Sequence, residues 1–128
     1  MGGYAAILFA NLLAEGEVIA FAPQTFISPL LRLRHRDGRW AKQIFNTYKN
    51  SLFLRKAWNL KSLMNKTTGN QKISVFVSKD YRLDYIHAVH IKNIPGVNIY
   101  EFDGSGHAIV KFLRDEGKLP AIMSGNYP

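Results

Sequence analysis

Ile73-Ser74-Val75-Phe76-Val77-Ser78-Lys79-Asp80-Tyr81-Arg82-Leu83-Asp84 opens with a β-branched and aromatic run and then turns abruptly polar. A short, nearly continuous apolar run of this kind predicts a buried strand of a parallel sheet. Two other runs share the character. Glu17–Ala22 lies between Gly16 and Pro23, and Val97–Phe102 lies between Pro95-Gly96 and Asp103-Gly104. Helical stretches alternate with them. Ala5–Ala14 is apolar nearly all round, which predicts a buried helix ending before Gly16. Tyr85–Asn93 is a second helix with Asp84 as its N-cap, and Ala108–Glu116 a third, stopped by Gly117. Strands alternating with helices imply βαβ crossovers. The expected fold class is therefore α/β, with about three parallel strands, flanking helices and a helical basic insert.

The insert spans 24–71. Trp40–Tyr48 and Leu52–Met64 have helical spacing, with Leu52, Phe53, Lys56, Ala57 and Leu60 expected on one face, and Thr67-Thr68-Gly69-Asn70 is turn chemistry. The charge is concentrated here. Between Leu30 and Lys72 there are eleven basic residues and a single acid, Asp37, a balance of +10, whereas the rest of the chain has six against eight. The net charge of +8 thus belongs to the middle of the chain.

Composition bounds the function. The 128 residues, 47% hydrophobic, exclude wholesale disorder, and the absence of cysteine excludes disulfides, thiolate metal sites and a cysteine nucleophile. That usage is compatible with a reducing cytoplasm, the expected location. The apolar stretch Tyr4–Leu13 is about ten residues where a membrane span needs about twenty. It has no basic region before it, so neither a span nor a secretory signal is expected.

The candidate chemistry lies after two strands, because ligands of open α/β sheets bind beyond the carboxyl ends of strands. Ile73–Ser78 is followed by Asp80 and Asp84, and Val97–Phe102 by Gly104-Ser105-Gly106-His107. A carboxylate after one strand and a histidine after the next can meet at one sheet edge, where the carboxylate fixes the imidazole tautomer. Met1-Gly2-Gly3-Tyr4-Ala5-Ala6 adds a glycine pair leading into a small-residue helix.

Taken in order, these features resemble the carboxyl-terminal half of a serine α/β-hydrolase. Met1-Gly2-Gly3 matches the three residues after the nucleophile in a Ser-Met-Gly-Gly elbow. Phe21-Ala22-Pro23-Gln24 matches a strand end that often reads Phe-Ser-Pro-Gln. Asp80 and His107 keep the family's order of acid before histidine. The resemblance implies a partial α/β-hydrolase fold over 1–128, truncated just after the nucleophile Ser, which would stand immediately before Met1. It further implies His107 as catalytic base and Asp80 as acid, with Asp84 as the competitor for that role. Met1 would supply a backbone N–H to the oxyanion hole, and 24–71 would form a cap over the site. The implied activity of a full-length form is hydrolysis of a small-molecule ester or acyl substrate without a cofactor. The 128 residues alone are expected to be inactive.

Simpler readings stand beside these. His87 and His90 lie three apart on one helix, but without a third ligand the expectation is a partly buried His87, an exposed His90 and no metal. Ser105 is too close to His107 on a tight turn to act as its nucleophile, and Ser28 and Ser78 lack an elbow. The basic insert reads foremost as a solvated face. Arg32, Arg34, Arg36 and Arg39 could otherwise attract an anionic substrate or an acidic partner. Trp40, Tyr48, Phe53 and Trp58 are read as core rather than base-stacking groups, which makes nucleic acid the less favoured partner. The alternative function is a small basic binding protein for nucleic acid or acidic partners. The first strand is expected to leave an unpaired apolar edge, with poor solubility or need of a partner chain.

Overall fold

A computed structural model describes residues 2–50, 53–67 and 69–127. Three strands, β1 (Glu17–Phe21), β2 (Lys72–Ser78) and β3 (Val97–Phe102), form one sheet in the order β1-β2-β3, and both pairings are parallel. Ile73 sits opposite Val18 on one side and Val97 on the other, and Phe76 lies between Phe21 and Tyr100. The mixed α/β architecture with flanking helices is as expected. Among the described residues no helix is long and apolar enough to cross a membrane.

Central β2 explains the sheet's stability. Its residues from Ile73 to Ser78 are all buried, and side chains alternate between the two faces. Ile73, Val75 and Val77 join a cluster with Ile7 of α1 (Gly2–Leu13), Leu60 and Met64 of α4 (Leu60–Met64), and Ala88 and Ile91 of α5 (Arg82–Ile91). Phe76 points the other way. It meets Ile109 and Leu113 of α6 (Ile109–Asp115) and Ile122 of α7 (Leu119–Met123), and stacks on Tyr100 at 4.8 Å. Each large apolar side chain buried in this way contributes about 1.5–3 kcal/mol.

The insert is folded into the first of these clusters. It carries α2 (Pro29–His35), α3 (Ala41–Asn50), a 3-10 helix (Phe53–Trp58) and α4. Ile44 and Leu60 are fully buried, and Phe26 is packed among the rings of His35, His87 and His90 at 5.3, 4.0 and 5.1 Å.

Four local expectations need correction. The single helix expected over Leu52–Met64 is interrupted at Asn59, which pairs with Phe26 in an antiparallel bridge, while the Trp58 carbonyl accepts the N–H groups of Ile27 and Ser28. Leu52, placed on that helix's apolar face, lies outside the described residues. Helix α1 is one-sided rather than buried all round. Tyr4, Ile7, Ala10 and Asn11 face the sheet, whereas Phe9, Leu12 and Leu13 are exposed because no described element covers them. Asp84 is not the N-cap of α5. The helix begins at Arg82, which puts Asp84 in its first turn with its carboxylate engaged elsewhere. A short helix, α7, follows the Gly117 stop.

Candidate active site

Because all three strands run the same way, their carboxyl ends share one edge of the sheet. The start of α1 reaches that edge as well. A Cβ on Gly3 would come within 2.8 Å of the Pro23 Cβ just beyond β1, so glycine permits the close approach. Past β2 the chain turns into α5, and past β3 it makes two left-handed glycines, Gly104 (φ 81°) and Gly106 (φ 53°), before His107.

His107 and Asp84 meet across this edge, with 2.6 Å between His107 Nδ1 and Asp84 Oδ2. A ring that donates Nδ1–H to a carboxylate keeps the lone pair of its neutral form on Nε2. Among the described residues Nε2 has no protein partner, and the His107 side chain is 61% exposed while that of Asp84 is 2% exposed. The Tyr81 ring lies 5.1 Å from the imidazole. The other Asp84 oxygen, Oδ1, accepts a hydrogen bond from an Arg39 guanidinium nitrogen at 2.5 Å.

Asp80, expected to be the partner of His107, is engaged differently. Its Oδ2 accepts the Gly104 N–H and the Ser78 hydroxyl, so it ties the loop after β2 to the loop after β3. The carboxylate opposite His107 is the competitor, Asp84, because the first turn of α5 carries it under the histidine loop. Met1, the expected oxyanion donor, lies outside the described residues. Among the described residues Ser105 Oγ is buried with no hydrogen-bond partner and is not bonded to His107. Ser78 is buried and bonds Asp80.

A second buried polar group adjoins the first. The Thr25 N–H donates to His87 Nδ1 at 3.0 Å, so the neutral ring carries its proton on Nε2, 3.0 Å from Asp37 Oδ2. Both side chains are about 1% exposed. Burial disfavours the charged imidazole and lowers the His87 pKa despite Asp37. Burial opposes ionisation of Asp37 too, but hydrogen bonds from His87 and Arg39 outweigh it and hold the carboxyl below its usual range. His90 is half-buried rather than exposed, with Nε2 2.8 Å from Asn59 Oδ1. Among the described residues no group of three or more His, Asp or Glu is placed to hold a metal ion.

Arg32, Arg34, Arg36 and Arg39 divide. Arg39 is committed to Asp37 and Asp84, and Arg32 donates to the carbonyls of Asp37 and Arg39. Arg34 and Arg36 are exposed. Tyr48 and Trp58 pack on each other at 4.6 Å and belong to the core, as expected, whereas Trp40 is 46% exposed. The Phe53 side chain lies outside the described residues.

Sequence reasoning placed Arg39 on a basic face open to an anionic partner and missed its pairing with Asp84, although a signal was present: Asp37, the lone acid of the basic segment, stands two residues before it. Comparison with protein-family models, with curated proteins and with solved structures finds no match to this chain.

Proposed function

We propose that the chain carries the acid–base half of a serine α/β-hydrolase site for ester or related acyl bonds, with His107 as general base and Asp84 as the acid that orients it. The observation that carries this is the 2.6 Å contact between Asp84 Oδ2 and His107 Nδ1 at the carboxyl edge of a parallel sheet. A carboxylate on Nδ1 fixes the tautomer that presents Nε2 and stabilises the imidazolium formed when Nε2 takes a proton. In the reaction a serine hydroxyl gives its proton to Nε2 as its oxygen attacks the acyl carbon, and Nε2 then protonates the departing alcohol.

The order acid-then-histidine and the glycine start of α1 at the same edge support the reading. In the elbow pattern that Met1-Gly2-Gly3 resembles, the serine would precede Met1, and the proposal for these residues concerns the proton relay. Arg34 and Arg36, exposed on the cap-like insert, favour an acidic partner or an anionic acyl substrate of the full-length form, in a cytoplasmic setting.

The test places a strand ending in Gly-x-Ser in frame ahead of Met1 and treats the longer chain with a fluorophosphonate. We expect the new serine to be labelled, with labelling lost in His107→Ala and Asp84→Asn and largely kept in Asp80→Asn. A folded longer chain that is not labelled would contradict the proposal. Labelling of the 128 residues alone, lost in His107→Ala, would contradict the assignment of the missing nucleophile.

A further inference from the structure

The Asp84–His107 pair is connected to the insert by an unbroken polar chain. Asp84 is almost fully buried, and besides His107 the one side chain that reaches its carboxylate among the described residues is Arg39. The Arg39 guanidinium acts as a fork. Nε and one terminal nitrogen donate to Asp37 Oδ1 and Oδ2 at 3.0 Å each, and the other terminal nitrogen donates to Asp84 Oδ1 at 2.5 Å. The nitrogen facing Asp37 Oδ2 also donates to the Leu83 carbonyl at 2.9 Å, which fixes the backbone next to Asp84. Behind the fork, Asp37 is held by His87, and His87 by the Thr25 N–H.

The loop that presents Arg39 is itself strained into place. Arg36 (φ 52°) and Trp40 (φ 56°) bracket it, and neither is glycine. L-residues with side chains adopt this left-handed region at a cost, and such conformations persist where surrounding contacts over-determine them. Those contacts are present. The Asp37 N–H donates to the Arg32 carbonyl, and the Arg32 side chain donates to the carbonyls of Asp37 and Arg39.

We propose that Arg39 is a positioning residue for the Asp84–His107 pair, so that the basic insert is part of the proton-relay machinery and not a detachable cover. This rests on the hydrolase reading for its purpose. Planarity matters more than charge here: a guanidinium spans two carboxylates and a carbonyl at fixed angles, whereas a lysine ammonium presents one point charge.

The test measures transfer of an acetyl group from p-nitrophenyl acetate to His107 in the 128-residue chain at low micromolar concentration, read by peptide mass spectrometry. His107 Nε2 attacks the ester carbonyl, p-nitrophenolate leaves, and water later hydrolyses the acylimidazole. Arg39→Gln is expected to slow His107 acylation about tenfold, because a carboxylate displaced by about 1 Å no longer holds the ring in its reactive pose. Arg39→Lys is expected not to restore the rate. If Arg39→Gln does not fold, the Asp37→Asn/Arg39→Gln double variant, which leaves one fewer buried carboxylate unpaired, is expected to show the same loss. An unchanged rate in a folded Arg39→Gln chain, or full rescue by Arg39→Lys, would overturn the positioning role and leave the hydrolase reading standing. Failure of the longer chain to take fluorophosphonate would overturn that reading and leave this result untouched.

Discussion

His90 is a titratable group whose environment gives a stability prediction with a definite sign. Burial, aided by Lys61, His87 and His35, lowers its pKa from the ordinary 6.5 to about 4. The unfolded chain therefore binds this proton first, and folding stability falls as pH drops from 6.5 towards 4. Lowering a pKa by one pH unit corresponds to about 1.4 kcal/mol, and solvent screening at a half-buried ring reduces the total to on the order of 2 kcal/mol. His87 adds loss in the same direction, and Asp37 adds more below its ordinary 3.8. Urea unfolding at pH 7 and pH 5 should show the drop, and His90→Gln should reduce it to the part that His87 contributes; equal wild-type midpoints at the two pH values would contradict it. At this scale the sequence was partly legible. The motif after β3 pointed to His107, and the loop after β2 offered two carboxylates. Choosing between them depended on where α5 starts, and one residue of helix phase carries a side chain about 100° around the axis.

At the scale of elements, β2 and β3 were the most legible. Their β-branched and aromatic runs are bounded by glycine or polar turns, and their neighbours in the sheet are set by register. The insert was least legible because its structure is fixed by contacts distant in sequence. The Trp58 carbonyl accepts from Ile27 and Ser28, the Leu60 N–H donates to the Thr25 carbonyl, and no local pattern announces either. Phe26 is the pin of this arrangement, fully buried among three histidine rings. Phe26→Ala is expected to cost about 3–5 kcal/mol and to loosen the attachment of 24–71 to α5. Hydrogen exchange should then accelerate across α2 and α3 first. A variant with wild-type stability would show that the insert is held by other means.

On the scale of the whole molecule, β1 pairs only with β2 among the described residues, and beside it α1 exposes Phe9, Leu12 and Leu13. An unpaired strand edge next to uncovered apolar side chains favours self-association. Light scattering is expected to show species heavier than the 14.5 kDa chain at tens of micromolar, and Phe9→Glu/Leu13→Glu to reduce them; a monodisperse, cooperatively melting monomer would count against this. The same sheet brings Asp84 and His107 together, and the proposed chemistry depends on that pairing. The sharpest check on it is the acylation rate of His107 by p-nitrophenyl acetate in wild-type, Asp84→Asn and Asp80→Asn chains, with the fold checked by circular dichroism. Asp84→Asn is expected to slow His107 by about tenfold or more, since the carboxylate that fixes the tautomer is gone, and Asp80→Asn to leave the rate close to wild type. A wild-type rate in Asp84→Asn, or a larger loss in Asp80→Asn, would contradict the pairing.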